Sequence, residues 1–341
     1  MDGDATQPEA ASTDTLADRG ISRVSHRGWA TQTAALAADI KLSHTVFALP
    51  FAVLGMVLAA DWRGRLGSEG GSEGGSGGGG RLPTVAELLL ILGCMVTART
   101  FAMAVNRLAD AELDADNPRT AGRALPAGRV GRGYAAAAIG GCAGLFVMAT
   151  AGFWWVNANP WPVALALPVL AWLAGYSFAK RFTWWCHVIL GVALALSPVA
   201  AALAIEPRYL AQAATAWLLA GMVTCWVAGF DVIYALQDVE FDRSRGLNSM
   251  PANLGVGRAL AISRALHAAC LACLLGAGWC SPVLGGCFGL ATALTAALLL
   301  LEHALIWRSA THRIHLAFFT VNGVISLLLG LAGLLDMTLG L

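Results

Sequence analysis

Charge is scarce in this chain. Asp, Glu, Lys and Arg make up 13% of its 341 residues, about half the roughly 25% typical of a soluble domain. So little polar surface cannot cover a water-facing exterior, which excludes an ordinary soluble fold. An excess of positive charge is missing too. The net charge is +1, which leaves no basic footprint for a nucleic-acid partner. Residues 1–30 lack the apolar core of a cleavable signal peptide and read as a disordered tail, rich in Ala, Ser, Thr and Asp. The eight cysteines lack ligand or disulfide spacing. Cys270 and Cys273 form a CxxC, but inside an apolar run with no His or second pair nearby, so they read as small buried hydrophobes. His187, His267, His303 and His315 show no metal-ligand spacing and read as structural.

What the chain has in abundance is apolar length: 57% of it is hydrophobic. Windows near twenty residues predict an all-α polytopic membrane protein with nine transmembrane helices, near 34–60, 84–109, 133–153, 161–178, 184–204, 211–236, 259–279, 283–302 and 316–336. Pro83, Pro160, Pro162, Pro207 and Ser281-Pro282 mark several boundaries. The loops after even-numbered spans hold Arg107, Arg119, Arg123, Arg129, Arg132, Lys180, Arg181, Arg243, Arg245, Arg258, Arg308 and Arg313, twelve basic residues. Those after odd-numbered spans hold four, Arg63, Arg65, Arg81 and Arg208. This asymmetry puts the N-terminus and the even loops in the cytoplasm. The membrane domain is then 31–341, with a flexible Gly/Ser-rich insert at 67–80 in the first outer loop.

Against this apolar background two acidic segments stand out: Asn106-Arg-Leu-Ala-Asp110-Ala-Glu-Leu-Asp114 and Tyr234-Ala-Leu-Gln-Asp238-Val-Glu-Phe-Asp242. Each sets a polar anchor and two aspartates four residues apart at the end of an apolar run. A step of four is close to one helical turn, so the three side chains share a face. Aspartates beside membrane spans are costly and need a reason. Carboxylates at this spacing bind Mg²⁺ through one or two oxygens and leave positions for water and phosphate. Arg119 and Arg123 follow the first segment, Arg243 and Arg245 the second. Guanidinium groups hold phosphate oxygens in forked geometry, so the set points to a shared metal and diphosphate site.

The segments resemble the paired aspartate motifs of the UbiA superfamily of intramembrane prenyltransferases. The first continues as Asn117-Pro-Arg-Thr-Ala-Gly-Arg-Ala-Leu-Pro126-Ala-Gly128, similar to that family's RTxxRxxPxG stretch. The second, Asp231 to Ser249, is similar to the DxxYAxxDxxxDxxxGxxS form of the 4-hydroxybenzoate polyprenyltransferase branch, and Lys41 to Phe51 to its opening helix. Arg107 and Asn248 depart from many members, which leaves the aromatic acceptor open. The resemblance implies nine helices around a central cavity with a cytoplasmic cap, in a bacterial inner membrane. It implies Mg²⁺-dependent transfer from polyprenyl diphosphate to an aromatic acid such as 4-hydroxybenzoate, in ubiquinone or related quinone synthesis. Asn106, Asp110, Asp114, Asp238 and Asp242 would hold metal and diphosphate, with Arg119, Arg123 and Arg243 neutralising the latter. Asp231, Asp110 and Asp238 are the catalytic candidates, with Asp231 orienting or deprotonating the phenol.

Other acceptors are a menaquinone-pathway aromatic, a haem or a lipid alcohol. An ion-coupled transporter is the reading from another class, but transporters place such carboxylates near the midplane. Tyr234 sits beside the acceptor in this scheme. Arg99, eleven residues before Asp110, either binds the acceptor's carboxylate or pairs with Asp231. Lys41 binds that carboxylate or snorkels at the interface. Most of the twelve tryptophans fit an aromatic belt, while Tyr176, Phe178 and Trp226 are candidates to stack on a carbocation or line a lipid tunnel.

Overall fold

A computed structural model describes residues 28–40, 47–69, 82–308 and 320–339, and these contain helices and no strand. A short helix, α1 (Trp29–Ile40), precedes α2 (Leu49–Glu69) and α3 (Val85–Ala109). Then come α4 (Ala111–Asp116), α5 (Arg132–Asn157), α6 (Trp161–Ala164) and α7 (Ala166–Gly175), which runs into a 3₁₀ turn at Tyr176–Arg181. The second half holds α8 (Cys186–Ile205), α9 (Pro207–Gln212) and α10 (Ala214–Tyr234). A second 3₁₀ turn at Ala235–Asp238 leads to α11 (Val239–Ser244) and α12 (Met250–Leu254). The chain closes with α13 (Val256–Cys280), α14 (Gly286–Arg308) and α15 (Asn322–Leu339).

Among the described residues seven helices are long and apolar enough to cross a membrane, the α10–α11 run counting as one. Two of the nine expected spans depart from this. Of the first, α1 and α2 are described while residues 41–46 lie outside the described residues, and the second half of α2 carries Asp61, Arg63 and Arg65. The fourth divides into α6 and α7. Pro168 has no N–H to offer the Ala164 carbonyl, so the helix breaks at Leu165. Ser281-Pro282 lies in a turn between α13 and α14, so two separate helices, each long and apolar enough to cross a membrane, stand there. Lys41, the 1–27 part of the expected tail and most of the Gly/Ser insert lie outside the described residues.

Small residues let the central helices approach closely, as membrane bundles require where lipid offers no hydrophobic drive. A Cβ on Gly55 of α2 would collide with the Pro198 backbone of α8, and one on Gly191 of α8 with the Thr224 backbone of α10. Helix α10 is the most enclosed: Leu219, Met222, Val223, Trp226 and Val227 are fully buried. At the far end, Asp336 of α15 accepts three backbone N–H groups at the start of α14, from Gly285 (2.7 Å), Cys287 (2.9 Å) and Phe288 (2.8 Å). That satisfies donors that a helix start otherwise leaves orphaned.

Candidate active site

Both acidic segments break their helices at the same point. Asp110, between α3 and α4, has φ −96° and ψ 7°. Asp238, between its 3₁₀ turn and α11, has φ −111° and ψ 8°. These bridge-region angles correct the expectation of one continuous helix per segment. The helix restarts at once, with the Asp114 N–H donating to the Asp110 carbonyl at 2.7 Å, so each aspartate pair still projects together. Gly128 and Gly246, with φ of 65° and 64°, turn the chain after each segment in a conformation that disfavours any residue with a Cβ.

Each aspartate meets its own cation. Arg119 grips Asp238 with two nitrogens, Nε at 2.9 Å and an Nη at 2.5 Å. Arg123 donates to both oxygens of Asp114 at 2.6 Å. Lys180 lies 2.7 Å from Asp242 and Arg181 3.4 Å from Asp110. The four pairs come from three stretches that cross-stitch: the loop after α4 reaches the second segment, and the 3₁₀ turn after α7 reaches both. Asn117 strengthens the crossing, donating to Asp238 at 3.3 Å and accepting from the Arg119 N–H at 3.0 Å. Asn106 steadies its own segment by donating to Asp110 at 2.9 Å. Asp242 is wholly enclosed and also accepts from the Ser249 hydroxyl at 2.8 Å. Carboxylates this buried persist only when paired in this way. Burial pushes the Asp110 carboxyl above its ordinary range and Asp114 adds to this, while Arg181 and Lys180 pull it back. Burial alone would lower the Lys180 ammonium, but the facing Asp242 carboxylate outweighs it and raises it.

A cavity of about 220 Å³ opens among these groups. A larger one, about 470 Å³ and mostly apolar, adjoins it and runs between α3, α5, α7, α8 and α10. Asn106, Arg123, Tyr176, Leu190, Asp231 and Tyr234 line both. Charged and greasy chambers therefore share one wall. Arg99 projects into the apolar chamber, where its Nε is buried without a hydrogen-bond partner. It does not pair with Asp231, which bonds His187 at 2.7 Å instead.

The structure brings together Asn106, Asp110, Asp114, Asp238, Asp242, Arg119, Arg123 and Tyr234, with Asp231 and Arg99 deeper. Tyr234 accepts from Arg119 at 3.1 Å and lies under its guanidinium, 5.4 Å from ring centre. Arg243 is not brought there. It turns away to the Ala252 and Pro251 carbonyls of α12, its position on α11 lying about 100° around the helix from Asp242. Its neighbour Arg245 ties to Asp116 at 2.8 Å on the rim. Trp226 leaves the cavity for the core, donating to Asn322 at 2.7 Å, and Phe178 lies beneath Arg181. Lys180 and Arg181, read as topology markers, and His187, read as structural, line the charged cavity, a placement that spacing along the chain did not reveal.

Four carboxylates and two carboxamides around one opening make a hard-oxygen donor set that fits Mg²⁺, once the cations facing them turn to a second anion. Among the described residues no three His, Cys, Asp or Glu side chains already converge on one point.

The profile of the UbiA prenyltransferase family matches residues 73–324. A protein named 4-hydroxybenzoate octaprenyltransferase from Pseudomonas fluorescens is 32% identical over 222 residues, covering 63% of this chain and 69% of that protein. Among solved structures, a UbiA homolog from Aeropyrum pernix K1 is 31% identical with a TM-score of 0.73, over 87% of this chain and 99% of its own. A UbiA homolog from Archaeoglobus fulgidus, solved bound to GPP and Mg²⁺, shares the fold at a TM-score of 0.63 and 17% identity, over 89% of this chain and 99% of its own.

Proposed function

We propose, from the premise that this chain belongs to the UbiA prenyltransferase family, that it transfers a polyprenyl group from polyprenyl diphosphate to an aromatic acid of the 4-hydroxybenzoate type, for ubiquinone or a related quinone. The observation that carries this reading is the set of four carboxylate–cation pairs at the mouth of an apolar cavity. Asp110, Asp114, Asp238 and Asp242, helped by Asn106, would hold Mg²⁺. The metal supplies charge that stabilises the diphosphate as it leaves.

The chain's own residues do the rest. Arg119 and Arg123 turn from their aspartates onto phosphate oxygens, and Lys180 and Arg181 face the same anion from the opposite wall. Their grip tightens as the allylic C–O bond breaks and its electron pair goes to the diphosphate. The apolar chamber takes the prenyl tail and keeps water from the allylic cation. Arg99, with an unused donor in that chamber, binds the acceptor's carboxylate. Asp231, on the wall shared by both chambers, accepts a hydrogen bond from the phenol, which enriches the adjacent ring carbon. That carbon forms the new C–C bond, and its proton leaves to the departing diphosphate or to Asp231. The excess of basic residues in the even loops supports a cytoplasmic mouth for the site.

Purified protein in detergent with radiolabelled prenyl diphosphate, Mg²⁺ and 4-hydroxybenzoate tests this directly. The expected result is Mg²⁺-dependent appearance of a prenylated acid. No Mg²⁺-dependent consumption of the diphosphate, with naphthoate, haem and lipid-alcohol acceptors also tried, would overturn it.

A further inference from the structure

His187 begins the second half of the bundle, near the start of α8, with its side chain 3% exposed. Its ring makes two bonds of opposite sense. The Met250 backbone N–H donates to Nε2 at 3.2 Å, and Nδ1 lies 2.7 Å from Asp231 Oδ2. An amide hydrogen pointing at Nε2 leaves no room for a second hydrogen there. That geometry is the one a neutral ring adopts with its single hydrogen on Nδ1. From Nδ1 it is donated to Asp231. Among the described residues Oδ1 of Asp231 has no hydrogen-bond donor, and Asp231 is 24% exposed to the chamber walls it lines.

We propose that His187, held as its Nδ1–H tautomer by the Met250 amide, is a positioning residue that fixes Oδ2 of Asp231 and leaves Oδ1 presented as a hydrogen-bond acceptor to the acceptor's hydroxyl. This rests on the reading of Asp231 given above. A neutral donor suits the task better than a cation. It fixes one carboxylate oxygen without neutralising the charge that makes the other a good acceptor.

The amide that sets the tautomer is itself anchored on the diphosphate side. Met250 is the first residue of α12, and its neighbour Ser249 donates to Asp242 Oδ2 at 2.8 Å while capping the helix at the Ala252 N–H. A line of contacts thus runs from Asp242 through the start of α12 and His187 to Asp231. The acceptor-side carboxylate is aligned by the same short helix that seats a diphosphate-side one.

Two measurements on the full chain test the proposal. In ¹⁵N-histidine NMR of purified protein, the signal that His187→Gln removes should show a protonated Nδ1 and a bare Nε2. A bare Nδ1 or a doubly protonated ring would overturn it. In steady-state kinetics, His187→Phe keeps the ring's bulk without its hydrogen bonds. It should lower kcat by about 10- to 100-fold, the usual cost of losing an orienting partner, with KM for prenyl diphosphate within about twofold. His187→Gln, whose amide can both donate and accept, should recover most of the loss. Unchanged kcat in His187→Phe, or a loss confined to diphosphate KM, contradicts the role. Asp231→Asn separates the two layers. If it is inactive while His187→Phe is not, His187 alone is misassigned; if it turns over normally, the reading of Asp231 has failed.

Discussion

Replacing Asp238 by Ala should damage stability and turnover through different partners, and a second substitution separates the two. Arg119 grips Asp238 through two nitrogens, with side-chain exposures of 29% and 10%. Breaking a fully buried pair by removing one partner costs about 3–5 kcal/mol. Arg119 keeps nearly a third of its surface and a bond to Tyr234, so screening brings the cost to about 2 kcal/mol. Turnover should fall further, on the order of 100- to 1,000-fold, the scale for losing one preorganised charge contact in a transition state. Adding Arg119→Ala removes the stranded guanidinium and should restore most of the stability. It should restore none of the activity, because a second diphosphate contact has gone. Thermal unfolding in detergent beside the radiolabelled transfer assay reads both quantities. Recovery of activity along with stability in the double variant would show that the pair is a structural clasp.

Other substitutions probe separate parts. Arg99→Ala should raise KM for the aromatic acid by at least about tenfold, since a charge-assisted hydrogen bond contributes roughly 1.5–3 kcal/mol, with donor KM unchanged; an effect on donor KM alone would move Arg99 to the other substrate. Asp336→Ala should cost about 2–3 kcal/mol by leaving three backbone donors at the start of α14 without their acceptor, seen as a lowered unfolding temperature, while activity per folded molecule is kept. Gly191→Ala should destabilise by about 1–3 kcal/mol through overpacking against the Thr224 backbone, and unaltered melting would contradict the close α8–α10 approach.

The acidic segments were legible because charge is rare in this chain, so each carboxylate pair at the end of an apolar run demanded an explanation. Most spans were legible for the same reason, as apolar windows bounded by Pro and basic loops. The split of the fourth span was written in Pro168, whose missing N–H acts four residues earlier than the proline itself. The partners of the aspartates were not legible. Lys180 and Arg181 lie some sixty to seventy positions from Asp242 and Asp110, and a loop's basic residues look alike whether they mark topology or fill a site. Arg243 shows the converse error: one residue from Asp242 in sequence, it lies about 100° around α11 and bonds the Ala252 and Pro251 carbonyls instead. His187 had no spacing to betray it, because its partners Asp231 and Met250 come from two other elements.

The central claim is that both acidic segments hold a single diphosphate. A structure of the protein with Mg²⁺ and a non-cleavable prenyl thiolodiphosphate tests it most directly. The expected structure has the diphosphate between Asp110/Asp114 and Asp238/Asp242, with Arg119 and Arg123 turned from their aspartates onto phosphate oxygens and the prenyl chain in the apolar chamber. A diphosphate seated on one segment alone, with the other four charges still paired as they are here, would contradict it.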